Sequence, residues 1–114
     1  LEDSQFDIVF GPGGRAEAPI VGKVGQNLIN GRVDRLVITS GEILIVDYKT
    51  DRPAPDDVAD VGEAYIAQMA AYRAVLSQAW PNRPIRCLLV WTDGPRLMEI
   101  PAPALDKAIK AVLA

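Results

Sequence analysis

Over the first half of the chain, apolar residues form short segments between turn-forming residues, a pattern typical of β-strands. The segments predict strands at residues 16–24, 26–39 and 42–50. The last two strands are joined at Ser40-Gly41, which is a two-residue turn signal. Pro19 has no N–H to donate to a neighbouring strand, so the first strand is expected at an edge of the sheet.

After a proline-containing loop at residues 51–57, the apolar positions are spaced for one face of a helix. The spacing of four, four, three and four residues predicts a helix over residues 58–79 or 61–79. Asp57 or Asp60 is expected to cap its start. The apolar face consists of Val61, Tyr65, Met69, Tyr72 and Leu76.

The chain then returns to strand-like sequence and closes with a second helix. A continuous apolar segment predicts a strand at 85–92, Asp93-Gly94 predicts a turn, and residues 96–100 predict the hairpin partner. A closing amphipathic helix is indicated by Leu105, Ile109 and Val112. The order β-β-β-α-β-β-α favours an α/β fold in which helices cover a mixed sheet.

The strongest break in the chain is Gly11-Pro12-Gly13-Gly14, which separates a short N-terminal piece from the rest. Residues 1–10 fit two interpretations. Phe6, Val9 and Phe10 suit one face of a helix end, whereas residues 6–10 also suit a short strand. At a length of 114 residues, the whole chain is expected to form one domain.

The composition excludes several kinds of catalytic site and metal site. The chain has one cysteine and no histidine, which excludes an internal disulfide, a cysteine-rich zinc site and Ser–His–Asp or Cys–His catalysis within it. Cys87 lies in an apolar segment and is interpreted as a buried hydrophobic residue. No apolar run approaches the roughly 18 residues of a membrane span. The net charge of −3 argues mildly against nucleic-acid binding. A reducing, cytoplasmic setting without a membrane partner is favoured.

The turn at Ser40-Gly41 sets the register between the two strands that it joins. Counting outward from the turn, Leu36 is expected to pair with Ile45. Two residues further out, Asp34 is expected to lie directly opposite Asp47 on the same face. Opposed Cβ atoms are about 4.5–5.5 Å apart, which is close enough for two carboxylates to share one ion.

Two carboxylates that face each other repel unless a cation neutralises them, and Mg²⁺ prefers oxygen ligands from one or two carboxylates with phosphate and water. Lys49, two residues beyond Asp47, lies on the same face. It is a candidate for orienting or deprotonating a water, or for stabilising transition-state charge. The alternative is that Asp34, Asp47 and Lys49 form a solvated charge cluster at a sheet edge. The apolar, strand-forming residues around them favour the functional interpretation.

Three motifs resemble those of one nuclease family. They are G-R-V-D-R-L at residues 31–36, I-V-D-Y-K-T at 45–50 and Y-I-A-Q-M-A-A-Y at 65–72. In this order they resemble PD-(D/E)XK nuclease domains of the AddA/RecB type, which lie at the C-terminus of bacterial double-strand-break-repair helicase–nucleases. The L-V-W-T segment at 89–92 is similar to the AddA subgroup. The resemblance implies a restriction-endonuclease-like core.

The resemblance assigns the site residue by residue. Asp34 and Asp47 correspond to the family's metal ligands, together with the backbone carbonyl of Tyr48, and Lys49 corresponds to its catalytic lysine. The implied cofactor is Mg²⁺, with Mn²⁺ as an alternative.

Four further residues have implied supporting roles, and each has a structural alternative. Gln68 and Tyr72 lie on one helical face and would approach the site, although Tyr72 also fits core packing. Glu17 lies where the AddA group often carries a glutamate, and a surface charge on an edge strand is the alternative. Arg32 would lie opposite Lys49 and contact phosphate, or is a solvated surface arginine.

One departure concerns an upstream helix with a histidine, which the family usually carries and which is missing here. Because the chain has no histidine and begins with Leu1, residues 1–114 are interpreted as the nuclease core of a longer helicase–nuclease chain.

The implied function is a Mg²⁺-dependent exonuclease that acts at DNA ends during ATP-dependent repair of double-strand breaks and recombination. The implied partners are double-strand ends and single strands of DNA, the helicase domains of the same chain, and a second, AddB-like subunit. Two alternatives remain. One is a catalytically inactive nuclease-fold lobe that serves DNA binding or structure in a helicase. The other is a different PD-(D/E)XK enzyme, such as a stand-alone exonuclease.

Overall fold

The strands and helices follow the predicted order. The structure is a computed structural model, and it describes residues 14–93 and 96–113. The strands are β1 (Gly14–Val24), β2 (Asn27–Ile38), β3 (Ile43–Lys49), β4 (Ile85–Trp91) and β5 (Arg96–Ile100). The helices are α1 (Glu63–Ala79) and α2 (Ala102–Leu113). The prediction for residues 1–10 lies outside the described residues, as does part of the predicted turn at Asp93-Gly94.

The first helix begins later than predicted. Val58–Asp60 forms a separate 3-10 turn, whose start is capped by the Asp57 carboxylate accepting from the Ala59 N–H at 3.1 Å. The backbone is extended again at Val61, and α1 begins at Glu63. The prediction that Asp57 or Asp60 caps the α-helix was wrong, because Asp57 caps the 3-10 turn and α1 begins after Gly62 without a side-chain cap.

Over the residues that the structure describes, the sheet has five strands in the order β1-β2-β3-β4-β5. All neighbours are antiparallel except β3 and β4, which are parallel. Parallel neighbours require a crossover connection, and α1 supplies it. The first strand lies at an edge, so the prediction from Pro19 is confirmed.

Two apolar clusters lie on the two faces of the sheet. The larger one joins alternate residues of β3, including Ile43 and Ile45, to the buried face of α1 and to Leu105 of α2. The smaller one contains the intervening residues Leu44 and Val46, together with alternate residues of β4. Both faces are buried over residues 43–46 of β3 and 87–91 of β4, and these stretches are apolar throughout.

The thiol of Cys87 is fully buried in the larger cluster, as expected. Burial raises the pKa of this thiol to about 12, which keeps it protonated and unreactive near neutral pH. No helix within residues 14–93 and 96–113 is long and apolar enough to cross a membrane.

A close approach at Gly31 gives the first testable prediction. A methyl group at this position would overlap the Tyr72 hydroxyl and lie 2.8 Å from a carbon of its ring. We expect Gly31→Ala to lower the free energy of unfolding by about 1–3 kcal/mol, because the Tyr72 ring must shift in a packed core. Urea unfolding measures this change. Gly41→Ala is the matched control, since nothing lies within 4 Å of its added methyl. Equal effects of the two substitutions would contradict the prediction.

Candidate active site

The register between β2 and β3 brings the predicted carboxylates together. Leu36 pairs with Ile45 and Ile38 with Ile43, as the turn at Ser40-Gly41 predicts. The ladder ends at the pair Arg35–Val46, one residue short of the two aspartates. The backbone pairing of Asp34 with Asp47 is therefore not formed, and that detail of the prediction was wrong. β3 itself continues to pair with β4 as far as Lys49.

The ladder ends because β2 is irregular at Asp34. Val33 and Leu36 both pack in the larger cluster, although strict alternation would place residues three apart on opposite faces. The break in alternation therefore lies between these two residues. Glu17 is opposite Asp34 in the register of β1 and β2, and the pair is missing from that ladder too. Glu17 has φ of 52°, a left-handed conformation that is uncommon outside glycine.

Beyond the end of the backbone ladder, the side chain of Asp34 connects β2 to β3. The Tyr48 N–H donates a hydrogen bond of 2.7 Å to Asp34 Oδ2. The carboxyl groups of Asp34 and Asp47 are close enough to share a hydrogen bond when one of them is protonated. The two carboxyls are thus neighbours, in spite of the missing backbone pair.

Lys49 lies beside the pair, on the side of Asp47. Its Nζ is 2.7 Å from Asp47 Oδ2, and the two side chains are only 11% and 14% exposed, respectively. The strand that carries Lys49 is fixed from β4, because the N–H and hydroxyl of Thr92 donate to the Lys49 carbonyl at 3.0 and 3.2 Å. The structure therefore brings Asp34, Asp47 and Lys49 together at the end of β3.

A residue outside the predicted site completes the surroundings of Lys49. The Nζ of Lys49 lies 3.8 Å from the centre of the Tyr65 ring. The Tyr65 hydroxyl donates a hydrogen bond of 3.0 Å to Asp51 Oδ1. This bond raises the pKa of the Tyr65 hydroxyl above its ordinary value. The helical spacing predicted Tyr65 only as part of the apolar face of α1, since spacing gives the face of a side chain and not its partner.

The two aspartates differ in pKa. Burial, and then the hydrogen bond that protonated Asp47 donates to Asp34, raise the pKa of Asp47 to about 6, and the Lys49 ammonium only partly opposes this shift. The hydrogen bond with Asp47 is the largest cause that lowers the pKa of Asp34, and the Tyr48 N–H and Lys49 lower it further. Asp34 is therefore the ionised member of the pair when one proton is shared.

This arrangement suits a divalent cation. Below about pH 6 the two neighbouring carboxyls hold one proton, and a bound cation would replace it. Mg²⁺ is usually bound in proteins by one or two carboxylates. Within the described part of the chain, no group of three or more acidic, cysteine or histidine side chains could hold a metal ion. A cation here would thus be bound by Asp34 and Asp47. The role of the Tyr48 carbonyl as a further ligand stays a prediction.

The four residues with predicted supporting roles differ in burial. Tyr72 is buried in the core beside Gly31, which matches its structural alternative. The side chains of Gln68, Glu17 and Arg32 are exposed. Arg32 pairs with Pro19 of β1 and lies beyond the end of the β2–β3 ladder, so its predicted pairing with Lys49 is not formed. The roles of these residues in binding or catalysis stay predictions.

The raised pKa of Asp47 predicts how stability depends on pH without metal. Between its ordinary pKa of 3.8 and about 6, the folded chain holds a proton that the unfolded chain has lost. Because the folded state binds more protons in this window, the free energy of unfolding falls as pH rises. The lowered pKa of Asp34 changes the pH dependence of stability only below pH 3.8, which is outside this window.

We expect a loss of up to about 3 kcal/mol from this residue between pH 4 and 6, at roughly 1.4 kcal/mol per pKa unit. Urea unfolding in EDTA, with wild type and Asp47→Asn measured side by side, isolates the contribution, since asparagine does not titrate. A difference between the two proteins that stays constant across the window would contradict the prediction.

Comparison with known proteins adds independent findings. A family model described as the PD-(D/E)XK nuclease superfamily matches residues 3–110. Over 74 residues, the chain is 39% identical to a protein of Oenococcus oeni that is one of the subunits of an ATP-dependent helicase/nuclease. That alignment covers 64% of this chain and 6% of the relative.

Two solved structures share the fold. One is a candidate exonuclease of Eubacterium rectale, with a TM-score of 0.66 and 14% identity over 98% of this chain. The other is the protein SSO0001, with a TM-score of 0.52 and 18% identity over 97% of this chain. The chain covers 45% and 54% of these two proteins, respectively. At such identities the likeness concerns the fold alone.

Proposed function

We propose that this chain, which belongs to the PD-(D/E)XK nuclease superfamily, hydrolyses phosphodiester bonds of DNA with Asp34, Asp47 and Lys49 as its catalytic residues. The observation that carries the proposal is the shielded contact among these three side chains at the end of β3. A solvated charge cluster, the alternative from the sequence, would leave Lys49 and Asp47 exposed, whereas both are largely shielded.

The proposed cofactor is Mg²⁺, with Mn²⁺ as a substitute, bound by the carboxylates of Asp34 and Asp47. When bound, such an ion supplies an activated water and stabilises charge on the phosphate. The Tyr48 N–H fixes the orientation of the Asp34 carboxylate. Because β3 is held by β4 through Lys49, the two functional side chains of this strand keep their spacing independently of β2.

Lys49 supplies the positive charge of the proposed mechanism. Its ammonium lies at hydrogen-bond distance from Asp47, and so next to any phosphate that the carboxylate pair and its cation bind. In this position it donates to a phosphate oxygen as negative charge develops there, or to the attacking water.

The proposed biological setting is that of a helicase–nuclease. The relative from Oenococcus oeni is named as part of an ATP-dependent helicase/nuclease, and its identity to this chain supports an exonuclease that trims DNA ends in double-strand-break repair and recombination. In this setting the partners are helicase domains of the same polypeptide and a second, AddB-like subunit. The proposal covers only the nuclease core, because the matched stretch is a small part of that relative.

A nuclease assay on the purified protein tests the proposal. Linear double-stranded DNA, linear single strands and covalently closed circles are incubated with millimolar Mg²⁺, Mn²⁺ or EDTA. We expect metal-dependent loss of both linear substrates, much weaker for residues 1–114 alone than for a chain that also carries the family's upstream histidine helix. Circles should stay intact because they have no ends. Cleaved circles would indicate an endonuclease. Binding of DNA without any cleavage would favour a catalytically inactive lobe and overturn the proposal.

A further inference from the structure

The ammonium of Lys49 has two neighbours of different kinds. One is the Asp47 carboxylate, at 2.7 Å, and the other is the face of the Tyr65 ring, at 3.8 Å from its centre. A carboxylate both holds an ammonium and neutralises it. An aromatic face attracts the ammonium through its quadrupole and carries no net charge. The ring can therefore keep Lys49 in place while Asp47 is engaged elsewhere.

The Tyr65 ring is itself held in place. Tyr65 is the third residue of α1, and its N–H donates to the Gly62 carbonyl at 3.0 Å. At the other end of the side chain, the hydroxyl donates to Asp51, which is two residues beyond Lys49. Backbone and side chain thus tie the ring to both ends of the loop that connects β3 to α1. A ring fixed in this way limits the rotamers of the flexible lysine chain.

We propose that Tyr65 is a positioning residue that holds the Lys49 ammonium toward the reacting phosphate, with Asp51 fixing the orientation of the ring. The inference rests on the proposed nuclease function. It assigns Tyr65 no contact with substrate: the ring acts only through Lys49. The aromatic face is the essential part, and the hydroxyl is an accessory that anchors it.

Kinetics of two variants distinguish the ring from the hydroxyl. We expect Tyr65→Leu, which removes the ring, to lower kcat roughly 10- to 30-fold, the range of a shielded cation–π contact. KM for DNA stays within about 3-fold, since phosphate binding by other groups is untouched. Tyr65→Phe keeps the ring and restores most of kcat. The control is Ile66→Ala, the next residue of α1, which is half-buried against the core. It is expected to lower stability without lowering kcat.

A spectroscopic measurement reports on the contact without any cleavage. The chain has four lysines, so lysine labelled with ¹³C at the ε position gives four resolvable signals, and Lys49→Arg identifies that of Lys49. Protons above an aromatic face are shielded, so the ε protons of Lys49 are expected upfield of the others. The upfield shift persists in Tyr65→Phe and disappears in Tyr65→Leu.

The two readouts separate this inference from the proposed function. The pattern of shifts supports the placement of Lys49 by Tyr65 whether or not the wild type cuts DNA, and cleavage by the wild type tests the nuclease proposal separately. A wild-type kcat in Tyr65→Leu with the shift lost would overturn the positioning role. A kcat in Tyr65→Phe as low as in Tyr65→Leu would overturn it as well, because the hydroxyl and not the ring would then be essential.

Discussion

Replacing Asp47 with asparagine is expected to lower DNA cleavage by more than about 100-fold while the domain stays folded. Loss of a group that only supports a metal ligand typically costs about 10- to 100-fold, and loss of a ligand itself should cost more. Asparagine keeps the size of the side chain and a hydrogen-bonding group for Asp34, but it lacks the charge that a divalent cation requires. The loss of cleavage should therefore accompany a loss of metal affinity.

The fold is expected to tolerate this change. In the absence of metal, the pKa of Asp47 is raised to about 6, so ionising this carboxyl near neutral pH costs more free energy in the folded chain than in the unfolded chain. The neutral asparagine avoids this cost, and the free energy of unfolding at pH 7 in EDTA should not fall.

Initial cleavage rates, isothermal titration with Mg²⁺ and urea unfolding measure the three consequences. Asp106→Asn is the matched control, because Asp106 is an exposed aspartate of α2 that pairs with Arg73 at 2.9 Å, outside the site. It should leave cleavage and metal affinity unchanged. Retained cleavage by Asp47→Asn would remove Asp47 from the catalytic residues and leave the proposed site without one of its two carboxylates.

The hairpin of β2 and β3 shows how far the sequence can carry a site prediction. A two-residue turn fixes which residues face each other, and the period of two carries that register along both strands, so the pairs near the turn were predicted correctly. Thr39 strengthens the turn, since its hydroxyl donates to the Glu42 carbonyl at 3.0 Å and accepts from the Glu42 N–H.

The end of that ladder could not be predicted in the same way. It depends on an irregularity that β2 shares with β1, where Glu17 takes a left-handed conformation opposite Asp34. No turn residue or glycine marks this position in the sequence, and glutamate is not a residue that favours such a conformation. The prediction that the two carboxyl groups are neighbours still holds, because the Asp34 side chain accepts a hydrogen bond from the Tyr48 N–H beyond the end of the backbone ladder.

Helical periodicity predicted which face of α1 is buried but not which residues its side chains contact. It identified the face of α1 that is buried, but Met69 and Tyr72 on this face pack in the core while Tyr65 lies beside a charged residue. The difference comes from position along the helix: Tyr65 lies in its first turn, beside Lys49 at the end of β3, whereas Tyr72 lies two turns further on, against Gly31 of β2. Such a distinction requires the packing of α1 on β3, which a single sequence does not reveal.

Lys49→Met is expected to lower kcat by about 100- to 1000-fold, the usual effect of removing one group that stabilises transition-state charge. Methionine retains an unbranched apolar chain and favourable contact with an aromatic ring, so packing against Tyr65 should persist. Only the ammonium is lost. The substitution therefore tests the charge of Lys49 apart from its bulk.

The same variant should bind Mg²⁺ at least as tightly as the wild type. In the folded chain the Lys49 ammonium occupies a place 2.7 Å from Asp47 Oδ2, where it competes with a cation for this carboxylate. Removing the competitor leaves both carboxylates available. Lys49→Met and Asp47→Asn thus have opposite effects on metal affinity and the same effect on cleavage. That combination would assign the two residues to different steps.

Single-turnover cleavage and isothermal titration with Mg²⁺ give the two quantities, and Lys107→Met, an exposed lysine of α2, is the matched control for the loss of a positive charge. Because the net charge becomes more negative by the same amount in both variants, any general weakening of DNA binding appears in the control as well. A parallel loss of metal affinity and cleavage in Lys49→Met would contradict the assignment. Lys49 would then act by holding the carboxylates in place and not by stabilising charge on the phosphate.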